Sequence, residues 1–493
     1  MSRTKTGCQT CRCRRIKCDE GKPVCLQCIK AERECRQGSD RKKPDLVFHT
    51  ENMYASGNIK RPRGPRGSLT LQRPGADRLS QARAFYINFY LDGLSEAPVT
   101  TSSMLEGLTE WISARRESAM VDRAVSAVAL AVFSGTQHSP SAAKEATKIY
   151  GDLLHLVQAE IMNRDLGLCS GQMVDSSLLT IVLMATYENI MHRPADEESD
   201  HSLGTLHSWS HHLGALAVLQ SWYENSRVHI TPSTIVKYSR RGIMRRALLM
   251  GSALPLWLRD GSDFGESGVD LVFDGILFRL VNLRHRLDSV LRHAHGIHPV
   301  DADVLANEAA ELDAACQQWE NSIPQCWLPR TQDSSPCRRN PEHGIFPPLV
   351  STYTEPSYAT VWLEYLTIKI LLKSTMIQIS KIRQVTARAE NMEETMQREG
   401  LVESCTRIIP FILGRMSLDD REKLEQPPGT APDSTRPSLI ISTGWPLTVL
   451  SYHQGIDAEH KAWFRSRLVR IGGILGDGSL KCAGHGGWAH NVV

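Results

Sequence analysis

The sequence predicts a small metal-stabilised domain at the N-terminus, followed by a large all-α domain. Three observations carry this. Seven of the 13 cysteines lie before residue 36. Residues 1–75 hold 18 Lys and Arg against 7 Asp and Glu, a surplus of +11, whereas residues 76–493 sum to −8. From about residue 79 apolar side chains recur at three- and four-residue steps, and no convincing alternating strand interrupts them.

The cysteine spacing defines the first domain. Cys8, Cys11, Cys18, Cys25, Cys28 and Cys35 repeat the pattern C-x2-C-x6-C, the second copy displaced by 17 residues at every cysteine. In a reducing compartment such a cluster holds metal rather than disulfides. Two tetrahedral zinc ions need eight ligand positions, and six thiolates fill them only if two bridge both metals. The repeat makes Cys8 and Cys25, the leading cysteine of each half, the bridging pair. Soft thiolates select zinc over magnesium or calcium, so the expected cofactor is two Zn2+, held in closed, structural sites. Cys13 breaks the repeat and is expected to face away from the metals.

The stretch "CQTCRCRRIKCDEGKPVCLQCIKAEREC" (residues 8–35) resembles the binuclear zinc cluster DNA-binding domain of fungal transcription factors. The basic run before the third cysteine of the repeat, Asp19 just after it and Pro23 two residues before the fourth are part of the resemblance. It implies that Cys8, Cys11, Cys18 and Cys25 hold one zinc, and Cys25, Cys28, Cys35 and Cys8 the other. It also implies a nuclear, pathway-specific regulator of RNA polymerase II genes that reads CGG-like triplets in double-stranded DNA.

Charge separates the two halves. Between the second and third cysteines of the repeat the first half carries "RCRRIK", four cations and no acid, while the second carries "IKAERE", two of each sign. Only the first suits DNA; it is short enough for a two-turn helix whose far end enters the major groove, where Arg or Lys reads guanine through O6 and N7. The resemblance places base contacts at Arg14, Arg15 and Lys17. Arg15 and Lys17 are the expected base readers, and Arg12, Lys22 and Lys30 the expected phosphate contacts, which position without specifying.

Residues 1–43 form this domain and residues 44–78 a flexible basic linker, rich in Pro, Gly and charge. Its basic blocks, Arg41 to Lys43 and "KRPRGPRG" from Lys60, suit a nuclear import signal, and the second is also compatible with an A·T minor groove. No apolar heptad repeat spans the linker, so dimerisation stays open but without a linker coiled coil.

Residues 79–485 read as one all-helical domain. "LSQARAFYINFYLDGL" opens it, a stretch with seven prolines from Pro324 to Pro356 forms an exposed loop or a seam, and "EQPPGTAPDSTRPS" breaks the pattern before the last helices. "DSSLLTIVLMATYENIM", "HSWSHHLGALAVLQSW", "YATVWLEYLTIKILL" and "STGWPLTVLS" resemble landmarks of the helical regulatory domain behind zinc clusters in fungal regulators. Trp209, Trp362 and Trp445 are expected in the core. The outlying Cys169, Cys316, Cys326, Cys337, Cys405 and Cys482 read as buried thiols, with a Cys326–Cys337 disulfide as the alternative.

Enzyme and membrane readings find no support. The N-terminus "MSRTKTGC" has no apolar h-region, and the longest apolar candidate, "LLTIVLMATYENI" from Leu178, is short and contains Glu188. The large domain has no G-x-S-x-G, H-E-x-x-H or G-x-x-x-x-G-K-[ST]. "IGGILGDG" from Ile471 follows a helical pattern rather than a strand, which weakens a phosphate-loop reading. His211, His212, His285, His293, His295 and His298 have no acidic or cysteine partner at ligand spacing. The expectation is a soluble, non-enzymatic DNA-binding regulator with transcriptional co-regulators as compatible partners. Alternatively, the helical domain of a small-molecule-responsive sensor or co-repressor binds an effector or partner protein.

Overall fold

The computed structural model describes residues 7–14, 16–35, 77–91, 104–163, 171–193, 211–225, 231–292, 299–333, 349–383, 388–413 and 437–486. The chain divides into two compact units, residues 1–74 and 75–493.

Among its described residues the first unit contains two single-turn helices, α1 (Gln9–Cys13) and α2 (Leu26–Ile29). Each begins one residue after the leading cysteine of a half. Helices this short do not persist in water by themselves, so the side chains that clamp them decide the structure.

The second unit is helical. In order it runs α3 (Arg78–Tyr86) with a π-turn extension over Ile87–Leu91, α4 (Met104–Ser113), α5 (Ala119–Gln137), α6 (Pro140–Asn163), α7 (Gly171–Met191), α8 (His211–Asn225), α9 (Thr234–Met250) and α10 (Gly268–Arg292). It continues with α11 (Pro299–Ser322), α12 (Pro356–Arg383), α13 (Arg388–Ile412), α14 (Pro437–Ser442), α15 (Gly444–Tyr452), α16 (Ala458–Leu475) and α17 (Gly478–Gly484).

Two helices organise the packing. α5 is covered by α3, α6 and α7, and its stretch from Ala127 to Val132 is fully buried. It is long and apolar enough to cross a membrane by composition, yet its small and branched side chains are spent on neighbouring helices, as expected of a core helix. α12 is buried on most sides, against α10, α11, α13 and α15. Around it Trp319, Trp362 and Tyr365 meet at ring centroids 4.5 to 6.4 Å apart. Their polar atoms find carbonyls, as buried aromatics require: Trp319 Nε1 donates to Val269 O at 2.8 Å, Trp362 Nε1 to Trp327 O at 2.7 Å and the Tyr365 hydroxyl to Cys316 O at 3.0 Å.

The C-terminal helices return to the start of the unit, α16 meeting α5 and α17 meeting α7. The glycine-rich "IGGILGDG" makes this possible. Gly476 ends α16 in the left-handed region at φ 69°, its N–H bonding Gly472 O, and a Cβ on Gly135 of α5 would stand only 2.8 Å from Gly476 O. Asp477 then caps α17 by accepting from Leu480 N at 2.9 Å. These glycines serve a helix end and a close approach between helices.

Two sequence expectations need correction. A two-stranded antiparallel ribbon is present, β1 (Arg330–Asp333) paired with β2 (Leu349–Thr352), Arg330 opposite Thr352 and Asp333 opposite Leu349. Strands of four residues are too short to show alternation. The proline-rich residues 334–348 between them lie outside the described residues. Cys326 is exposed rather than buried, because in the 3-10 turn Gln325–Trp327 it is Trp327 that points inward; Cys316, Cys405 and Cys482 are buried, and Cys169 and Cys337 lie outside the described residues. Trp362 is buried, Trp445 is half-buried with Nε1 donating to Arg245 O at 3.3 Å, and Trp209 lies outside the described residues.

Candidate metal centre and nucleic-acid interface

The 17-residue repeat of the sequence is also a repeat of the backbone. Ile16 N donates to Cys11 O at 3.1 Å, and Arg33 N, 17 positions on, donates to Cys28 O at 3.0 Å. Each half thus wraps one turn of helix after its leading cysteine and folds the next residues back over it. α1 and α2 touch, and Thr10 Oγ1 donates to Glu34 O at 2.8 Å across the two halves. Asp19, between the third and fourth cysteines of the repeat, caps α2: its Oδ2 accepts from Leu26 N at 2.9 Å and its Oδ1 from Gln27 N at 3.3 Å. The bond from Leu26 leads in holding the Asp19 carboxyl below its ordinary value.

Six sulfurs converge inside this frame. Cys8, Cys11, Cys25 and Cys28 are buried, and Cys18 and Cys35 are half-buried. They form two four-sulfur groups, Cys8–Cys11–Cys18–Cys25 and Cys8–Cys25–Cys28–Cys35, each with its Sγ atoms within 4.8 Å of one another. Both groups contain Cys8 and Cys25. Within the groups the sulfur separations are 3.7 Å for Cys8–Cys25 and Cys8–Cys28 and 3.6 Å for Cys11–Cys25. Four sulfurs about 2.3 Å from a tetrahedral zinc stand roughly 3.8 Å apart, so these spacings fit metal. They are far beyond the ~2.05 Å of a disulfide.

Backbone donors support the sulfurs as thiolates. Cys11 N points at Cys8 Sγ at 3.4 Å, while Cys8 N and Glu20 N point at Cys18 Sγ at 3.5 and 3.4 Å. The two shared thiols are the ones made more acidic. The Cys11 N–H leads in lowering Cys8, and for Cys25 burial is outweighed by the Cys28 N–H and neighbouring thiols. Burial pushes Cys11 up and Cys28 up to about 12. None of these donors left a sequence signal, because any residue but proline supplies the N–H.

The basic segment lies against this centre. α1 starts before it and ends at Cys13, so the segment is not a two-turn helix filling the gap between ligands. Instead ligand Cys11 sits inside the helix, and Arg14 closes its last turn with N–H to Thr10 O at 3.2 Å. Arg14, Lys17, Lys22 and Lys30 are exposed. The Arg12 and Cys13 side chains, and all of Arg15, lie outside the described residues, as do both basic blocks of the linker.

Residues 6–45 match the fungal Zn(2)-Cys(6) binuclear cluster domain. The N-terminal unit is therefore a fungal-type binuclear zinc cluster, and its six cysteines imply two zinc ions. The chain is 76% identical over 33 residues to the transcriptional regulatory protein moc3 of Schizosaccharomyces pombe, covering 7% of this chain and 6% of that one. It is 52% identical over 56 residues to the transcription activator AMTR1 of Alternaria alternata, covering 11% and 7%. A further transcriptional regulatory protein of Schizosaccharomyces pombe is 43% identical over 65 residues, covering 13% and 12%. The chain thus matches about an eighth or less of the length of these relatives. No solved structure matches it.

Proposed function

We propose that this protein is a sequence-specific DNA-binding regulator of RNA polymerase II genes that acts in the nucleus, its zinc cluster reading CGG-like triplets. The observation that carries the reading is the attachment of a cationic segment, Arg12 to Lys17, directly to ligand Cys11 of a six-sulfur centre. One zinc is held by Cys8, Cys11, Cys18 and Cys25, the other by Cys25, Cys28, Cys35 and Cys8. The metals are structural. They fix α1, and α1 fixes where Arg14, Arg15 and Lys17 meet base edges, while Arg12, Lys22 and Lys30 meet phosphates. The relatives named above support the reading through their titles, as transcriptional regulators and an activator. The protein acts by binding, and no catalytic step is assigned to it.

The division of labour is a DNA-reading domain over residues 1–43, a basic linker over 44–78 and a helical regulatory domain over 79–485. In vitro selection of DNA bound by the full-length chain tests the reading. The expected outcome is a motif built on CGG-like triplets, bound only while zinc is present. Selection of no motif, or binding that survives chelation, overturns it.

A second reading assigns effector sensing to the helical domain. It is favoured by one observation, a group of cations there that no carboxylate among the described residues meets at ion-pair distance.

A further inference from the structure

Charged side chains inside the helical unit are mostly paired. Arg240 meets Asp274 and the Leu258 carbonyl; Arg241 forks onto Glu266 at 2.7 and 2.5 Å; Arg245 forks onto Glu364 at 2.7 and 2.8 Å. Lys373 stands 3.1 Å from both Asp313 and Glu394. This is the ordinary condition for a cation taken out of water.

Arg246 departs from it singly, its Nε buried without a partner, and four other cations depart from it as a group. Arg284 on α10, Arg398 on α13, and Lys461 and Arg465 on α16 are all half-buried. Arg284 donates to Leu371 O at 3.4 Å and Thr375 Oγ1 at 3.0 Å, both neutral. The Nε atoms of Arg398 and Arg465 are buried without a hydrogen-bond partner, and the Arg465 guanidinium lies 5.0 Å from the Tyr452 ring. Burial lowers Arg284 to about 10 and lowers Arg398 and Lys461 as well. Lys461 and Arg465 are one turn apart on α16, a like-charge spacing that destabilises a helix.

His453 joins them. It is 4% exposed, and its Nδ1 accepts the Gly455 N–H at 3.0 Å. A Cβ placed on Gly455 would stand 2.5 Å from Arg398 Nη1 and 2.9 Å from His453 Cε1, so guanidinium and imidazole close over one side-chain-free residue. Burial first, then Arg284, Arg398 and Lys461, holds His453 at about 3 and therefore neutral. Carboxylates reach these cations only at a distance: Asp288 acts on Arg284, Glu399 on Arg398 and Asp457 on Lys461, and Asp457 also caps α16 and sits 2.6 Å from His460.

Gathering half-buried cations without a directly paired counter-charge costs folding free energy, and an anion bound among them offsets that cost. We propose that Arg398, Lys461, Arg284 and His453 form a binding site for a small oxyanion, the phosphate or carboxylate group of a metabolite. The Arg398 guanidinium, whose buried Nε has no hydrogen-bond partner, carries the donors for such a group. Lys461 supplies a point charge, and buried His453 lies beside the Arg398 guanidinium. The site deepens the sensor reading and rests on it only for the regulatory meaning of binding.

The test uses the full-length, zinc-loaded chain. Binding of inorganic phosphate and, separately, of citrate is measured by calorimetry and by thermal unfolding, at constant ionic strength against chloride. One or both oxyanions should raise the melting temperature beyond chloride, and the stronger of the two identifies the group recognised. Arg398→Gln and Lys461→Gln should each weaken binding about ten- to a hundredfold. Each should also raise the melting temperature of the anion-free protein, because a repelling cation is gone. Arg279→Gln, which removes a surface partner of Glu311, should leave binding unchanged. Oxyanions no better than chloride, or variants that bind as tightly as the parent, would overturn the proposal. DNA recognition is measured separately, so a failure to select DNA would leave this result standing, and the reverse holds too.

Discussion

The Sγ atoms of Cys8 and Cys25 stand 3.7 Å apart although 17 residues separate them, and both belong to each of the two four-sulfur groups. The repeat in the sequence is thereby a repeat in space, with its two leading cysteines at the shared edge. Both helices of the described N-terminal residues, α1 and α2, start from that edge.

Cys25→Ser should therefore abolish zinc-dependent folding and DNA binding, since it leaves both tetrahedra one thiolate short. Cys13→Ser should keep both metals and change DNA affinity by no more than a factor of a few. Zinc content by mass spectrometry under native conditions checks both, and loss of zinc from Cys13→Ser would overturn the ligand assignment.

Base reading and phosphate contact separate by mutation. Arg15→Ala should cost about 1–3 kcal/mol on the preferred site and relax preference at one base, whereas Lys30→Ala should weaken all sequences alike and flatten the salt slope by about one. Competition binding across a panel of sites decides. Uniform weakening by both substitutions would make Arg15 a phosphate contact.

Arg240 is fully buried and holds Asp274. Arg240→Ala strands that carboxylate and should destabilise the helical unit by about 3–5 kcal/mol, whereas Arg240→Met with Asp274→Leu should recover most of the loss. Urea unfolding with an unchanged slope measures both. A single substitution costing as little as the double one would mean the pair is not coupled.

His453 makes the helical unit sensitive to acid. Its folded value is held at about 3, chiefly by burial, while an unfolded histidine takes up its proton near about 6.5. Between those limits the unfolded chain binds the extra proton, so this contribution is intact above about 6.5 and is lost progressively as the pH falls toward about 3. His453→Gln should flatten that part of the profile in unfolding experiments at pH 7 and pH 5. Equal acid losses in the two proteins would exclude His453 as the source.

The metal centre was legible from spacing because zinc ligation is a local matter: six cysteines within 28 residues, in two identical intervals, leave few ways to complete two tetrahedra. The helical character of most described residues after Arg78 was legible for a similar reason, since a helix shows its buried face every three or four residues. The start and end of α1 relative to Cys11 were not, because backbone donors and turn closure depend on contacts such as Thr10 with Glu34. Still less could sequence show that Arg284, Arg398, Lys461 and His453 come together. They lie on three helices and a turn spread over 178 positions of the chain, each surrounded locally by ordinary helical sequence. Their meeting follows from α12 burying most of its surface and from glycines such as Gly135 and Gly476 letting the last helices close on the first. Local spacing determined the metal chemistry; only tertiary packing decided which charges went unneutralised, because charge compensation depends on distance in space and not on position along the chain.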